Sequence, residues 1–174
     1  LPAIQDGYDD LLLMRAMEVT TYRGHANVFG LTGYVDYHAT EAGYSLDEVI
    51  DGVHAAGGLF SVNHPDHLGY TNDDGTSVTL GWTVDDTDWS QIDGFEVLNA
   101  ATTWQGLSNP FNIDALAHWD ELLVEGYRLT ALGGSDDHKG GTGTDADLFY
   151  GAVGTPTTVV FATEFSEPGI LDGI

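Results

Sequence analysis

The chain has 174 residues, 28 acidic against 4 basic, for a formal charge of −24. Such a surface repels nucleic-acid phosphates, which excludes a DNA or RNA partner held by bulk charge. The absence of cysteine excludes disulfides and thiolate ligands, and no apolar run approaches the roughly 20 residues of a membrane span.

Aspartate outnumbers glutamate 20 to 8, and there is a single lysine. This balance fits the cytoplasm of a halophile or an exported protein stabilised by calcium. The length suits one domain with its own core.

The first predicted strand, LLLMRAMEVT (11–20), carries Glu18 near its end, and His25 follows in TTYRGH. ANVFGLTG (26–33) is the next candidate strand. SLDEVIDGVHAAGG then reads as a helix: Ser45 and Glu48 make a capping box, and Leu46, Val49, Ile50 and Val53 form one apolar stripe. Gly57 and Gly58 end it.

GLFSVN (58–63) is a strand that runs into His64 and Pro65. The proline is expected to hold His64 extended and aim it off the strand end. Residues 70–91 are loop-like and carry Asp73, Asp74, Asp85, Asp86 and Asp88; they read as an insertion or lid.

GFEVLN (94–99) is another strand. NIDALAHWDELLVEGY is a second helix, with Leu116, Trp119 and Leu123 on one face and Gly126 closing it. RLTALG (128–133) is a strand leading through Gly133 and Gly134 to Asp136 and His138. These two lie two residues apart, so an extended backbone would point both side chains the same way. Residues 140–154 form a second candidate mobile stretch. TTVVFAT (157–163) is the last predicted strand, and Ser166 with Pro168 opens a short helix.

Strands alternating with helices imply β/α units around a mostly parallel sheet, in one domain over 1–174. In such folds the strand ends gather at one rim. Glu18, His25, His64, Asp136 and His138 are therefore candidate metal ligands, and imidazole plus carboxylate without thiolate suits Zn²⁺, Mn²⁺ or Fe²⁺. Arg23 and Lys139 each lie within two residues of a candidate ligand histidine, where a cation can grip an anionic substrate oxygen. His54 and His118 fall on helices, as packing or surface residues. His38 has no clear assignment, His67 reads as a loop histidine or, from its nearness to His64, a pocket-lining one, and Trp82, Trp89 and Trp104 read as packing or pocket residues.

Other signatures fail. GGSDD departs from a G-x-S-x-G elbow at Asp137. TNDDGTS lacks the first Asp and the closing Glu of an EF-hand loop. No Walker A, H-E-x-x-H or dinucleotide fingerprint occurs.

Five segments in order, EVTTYRGHANVFGL, GGLFSVNHP, DGFEVLNA, HWDELLVEGYRLTALGGSDDH and GTPTTVVFATEFSEPGIL, resemble the PHP (polymerase and histidinol phosphatase) superfamily of metal-dependent hydrolases. The branch that includes carbaryl hydrolases and related phosphoesterase-like proteins is the most similar. The resemblance implies a distorted (β/α)₇ barrel with two or three divalent ions at its rim. It matches Glu18 to the metal-bridging glutamate, His25 to the G-H histidine and His64 to the histidine before proline. Asp136 and His138 match the closing Asp-x-His pair, and Glu96 and Asn99 fall in a supporting segment.

The chain departs from the pattern at its start. Seventeen residues precede Glu18 and none is histidine, so the His-x-His strand and the first two β/α units are missing and the barrel is expected to be incomplete. The implied function is hydrolysis of a small phosphoester by a metal-activated water, with an ester, amide or carbamate as other substrates. The alternative is a catalytically inactive, acidic binding or scaffold module.

Overall fold

The computed structural model describes residues 5–7, 9–37, 45–104, 107–142 and 151–174. In chain order its elements are β1 (Ala16–Thr21), β2 (Gly24–Phe29), α1 (Leu46–Ala55), β3 (Leu59–Asn63), β4 (Tyr70–Thr71) and β5 (Ser77–Val78). A 3₁₀ turn (Trp89–Gln91), β6 (Gly94–Asn99), β7 (Thr103–Trp104), β8 (Leu107–Ser108), α2 (Pro110–Glu125), β9 (Thr130–Gly134) and α3 (Glu167–Leu171) follow.

The main sheet has five strands in the order β1-β2-β3-β6-β9. It is open and mixed, so the expected (β/α)₇ barrel is not what this chain forms. The reason starts at β1 and β2. Thr21 pairs with Gly24, leaving only Tyr22 and Arg23 as the turn. Two residues can join antiparallel strands but cannot carry a crossover. β2 and β3 are also antiparallel, and only β3-β6 and β6-β9 are parallel. The connection from β3 to β6 holds the small β4-β5 pair and the 3₁₀ turn in place of an α-helix.

Alternation divides the sheet faces. On one face Val19, Ala26, Val28, Phe60, Val62, Phe95 and Val97 are buried with Val49, Ile50 and Val53 of α1 and Ala115 and Leu122 of α2. The α1 stripe is the predicted one, with Leu46 only partly buried. The capping box is also present: Glu48 N–H donates to Ser45 Oγ at 3.3 Å, and Ser45 N–H to Glu48 Oε2 at 2.8 Å.

In α2 the buried stripe is Asn112, Ala115 and Leu122, with Trp119 partly buried, while Leu116 is exposed. The expected Leu116–Trp119–Leu123 face is thus rotated. Asn112 holds an inward position because its Oδ1 accepts from Asn99 N–H at 2.9 Å. The helix starts at Pro110, after an Asn109 cap that accepts from Phe111 N–H at 3.1 Å.

Residues 157–163 are not a strand. Thr158 meets β9 through its hydroxyl, which bonds Gly133 N–H at 2.8 Å and Gly133 O at 3.2 Å in place of a backbone ladder. The tail continues to α3, capped by Ser166, where Leu171 packs so close to Gly30 that an added Cβ would lie 2.5 Å away. His38, most of the 140–154 stretch and the Trp104 side chain lie outside the described residues.

Candidate metal centre

The sheet face opposite the helices carries the polar side chains, beside Phe29 and Leu132. Register aligns Glu18 with Asn27, Thr20 with His25, His25 with Asn63 and Asn27 with Ser61. Cross-strand partners share a face, so Glu18 and His25 project to the same side. His64 follows β3 at the same end of the sheet, and Asp136 follows β9.

Three side chains meet there. Glu18 Oε1 lies 3.3 Å from His25 Nδ1 and 3.8 Å from His64 Nε2, and it accepts from Asn63 Nδ2 at 3.4 Å. One ligand atom from each of Glu18, His25 and His64 lies within 4.8 Å of the others, so the group can hold a metal ion. Glu18 is exposed, His25 half-buried and His64 buried.

Backbone strain marks the rim. Among the described residues the non-glycine positions with positive φ are His64 (28°), Ala100 (54°) and Asp136 (48°). They follow β3 and β6 directly and β9 two residues on. Each such position costs about 1–3 kcal/mol. His64 is therefore not extended before Pro65. Its turned backbone N–H donates to Glu96 Oε2 at 2.7 Å. Asp136 is not extended either: His138 Nδ1 folds back to within 2.7 Å of the Asp136 carbonyl and 3.4 Å of its Oδ1. The pair meets through a left-handed turn.

Glu96 underlies the site. It is buried, and its Oε2 also accepts from Asn99 Nδ2 at 3.0 Å. A Cβ on Gly134 would come within 2.7 Å of Glu96 Oε1, so a side chain there would displace this carboxylate from its present position.

The environment shifts these groups apart. Hydrogen bonds from His25 and then His64 hold Glu18 well below the ordinary carboxylate range. Burial pushes Glu96 up to about 7 and raises Asp136. Burial, then neighbouring His64, brings His67 down to about 4. For His64 burial is the largest single influence and acts downward, but the Glu18 hydrogen bond with the charges of Glu96, Asp136 and Glu18 outweighs it, and the net shift is upward.

Glu18, His25, His64, Asp136 and His138 all line one cleft of about 680 Å³. The two predicted substrate cations do not line it. Arg23 donates to Thr83 O at 3.2 Å, lies 3.7 Å from Asp86 and borders a separate cleft with Trp82. Lys139 sits past His138, its backbone N–H bonded to Asp137 Oδ1 at 3.0 Å.

Sequence reasoning passed over Leu80 and Phe111 as site residues and favoured a loop position for His67 over a place in the pocket. His67 is buried in the cleft, its ring stacked on His64 at 5.0 Å and 4.8 Å from Phe111. Its place three residues after His64 was the available signal, whereas nothing local marks Leu80 or Phe111.

No family model, curated protein or solved structure matches this chain. No helix among the described residues is long and apolar enough to cross a membrane.

Proposed function

We propose that the chain is a metal-dependent hydrolase acting on phosphoesters, of the PHP type that its motifs resemble. The observation that carries this reading is the convergence of Glu18, His25 and His64 within 4.8 Å, in a cleft that Asp136 and His138 also line.

The residues fit a divalent ion. One ionised carboxylate and two imidazoles are a donor set suited to Zn²⁺, Mn²⁺ or Fe²⁺. His64, itself buried, presents Nε2 to Glu18 Oε1 at 3.8 Å, so the two donor atoms face each other as ligands of one ion would. A divalent ion held by Glu18, His25 and His64 would supply the acidification of a water molecule and positive charge against a developing oxyanion.

The chain supplies the rest. Glu18, kept ionised by its histidine neighbours, offers a charged ligand at neutral pH. Glu96 fixes His64 from beneath through its backbone N–H, as supporting partners of metal ligands do. Asp136 and His138 extend the donor set at the rim.

The test is hydrolysis of bis(4-nitrophenyl) phosphate by protein loaded with Mn²⁺ or Zn²⁺, beside His64→Ala. The proposal expects metal-dependent turnover that the substitution reduces at least a hundredfold. Metal-loaded protein inert toward both phosphoesters and carboxyl esters, or activity untouched by His64→Ala, contradicts it.

A further inference from the structure

We propose that Leu68, Tyr70, Leu80 and Phe111 form a specificity wall that selects a phosphodiester with an apolar arm over a phosphomonoester. This rests on the hydrolase reading above and names its substrate class.

The cleft combines the ligating side chains with these four apolar or aromatic residues. Leu68 and Tyr70 remain 69% and 53% exposed, and large apolar side chains left open at a binding cleft mark a surface that a ligand covers. They belong to the segment that carries the β4-β5 pair, and its base is fastened to the His64 loop. Trp82 N–H donates to Pro65 O at 2.7 Å. A Cβ on Gly81 would lie 2.4 Å from His67 O, and one on Gly69 would lie 2.4 Å from Val78 O. On the other side Phe111 reaches the ligands through a line of rings, 4.8 Å to His67 and then 5.0 Å to His64. The wall thus shares one cleft with Glu18, His25 and His64, joined to the His64 loop on one side and to His64 through His67 on the other.

Charge points the same way. None of the four Arg and Lys residues lines the cleft, whereas Glu18 and Asp136 do. A monoester dianion is ordinarily gripped by guanidinium or ammonium donors. A diester carries one charge fewer and brings a second arm to cover Leu68 and Tyr70. In the reaction water adds to phosphorus, the P–O bond to the leaving arm breaks, and a water proton ends on the leaving oxygen. The products are a phosphomonoester and an alcohol.

The experiment has two arms. With Mn²⁺-loaded protein, kcat/KM is compared for bis(4-nitrophenyl) phosphate, methyl 4-nitrophenyl phosphate and 4-nitrophenyl phosphate, in the native chain and in Leu68→Asn, an exposed position that tolerates the change. In the second arm, calorimetry compares diphenyl phosphate with dimethyl phosphate as ligands, with and without metal. We expect the bis-aryl diester to be preferred by about tenfold or more, in line with the worth of apolar pocket contacts. Leu68→Asn should shrink that ratio severalfold, and diphenyl phosphate should bind about tenfold tighter. Equal use of the three esters, or equal binding of the two phosphates, overturns the wall and leaves the hydrolase reading standing. Selective binding of diphenyl phosphate with no ester hydrolysed overturns the hydrolase reading and keeps the wall as a recognition surface.

Discussion

On one face of the five-stranded sheet, Val28, Phe60, Val62 and Phe95 lie closed beneath α1 and α2; on the other, Glu18 and His25 line the candidate cleft, and Asn27, Ser61 and Glu96 line a second one. The same strands supply both sets, because successive side chains point to opposite faces. The first face holds the protein together by apolar burial, with Asn112 of α2 as a buried polar exception tied to Asn99. The second spends stability on strained exits at His64, Ala100 and Asp136 and on a buried Glu96. A one-residue slip in register would exchange the two. Stability and chemistry are thus separable by substitution.

The largest expected effect falls on the apolar face. Phe60→Ala removes a side chain with no solvent exposure and should cost about 3–5 kcal/mol of stability, measured by urea unfolding. A loss below about 1 kcal/mol would show that the helix-covered face is not the core. On the polar face Glu96→Gln replaces the carboxylate that accepts from the His64 N–H with an amide. It should lower metal affinity by about ten- to a hundredfold while shifting the unfolding midpoint far less than Phe60→Ala, as calorimetric titration and urea unfolding together would read. Acid should sharpen the contrast. His64 binds metal only when neutral, and its pKa lies above the ordinary histidine value, so metal affinity should fall with acid through a range that begins above about 6.5, whereas Val28, Phe60, Val62 and Phe95 carry nothing to titrate.

The smallest effect is on a polar pair that edges the apolar face. His118 Nδ1 lies 3.3 Å from Asp66 Oδ2, and that hydrogen bond raises the His118 pKa above 6.5. A folded value above the unfolded one means the contribution is fully present below pH 6.5 and lost as pH rises through the raised value. Both groups are about one-third exposed, so solvent screening keeps it under about 1 kcal/mol. His118→Gln should therefore destabilise slightly at pH 6 and not at pH 9, as paired urea titrations would show.

What could be read from the sequence was local. The Ser45–Glu48 box placed α1, and GFEVLN matches β6 residue for residue. Of the five ligand-type residues, His64 follows β3 directly and Asp136 and His138 come soon after β9, whereas Glu18 lies within β1 and His25 within β2. Pairing was not legible in the same way. The two-residue turn at Tyr22–Arg23 settles an antiparallel hairpin, but strand candidates drawn at 11–20 and 26–33 hid it by placing the hairpin's turn too wide. The α2 face was misread because Asn112 is polar, and its inward position depends on a partner, Asn99, on another element. His67, Leu80 and Phe111 reach the cleft only through tertiary packing, and Arg23 leaves it for the same reason.

The central claim is that Glu18, His25 and His64 form a specific metal site on the polar face. An acidic surface attracts divalent ions weakly everywhere, so the decisive measurement is comparative: calorimetric titration of Mn²⁺ or Zn²⁺ into metal-free native protein, His64→Ala and Glu18→Gln, with circular dichroism confirming that all three are folded. The account predicts at least one ion per native chain, bound at least a hundredfold tighter than by either variant. Equal affinities across three folded proteins would contradict it.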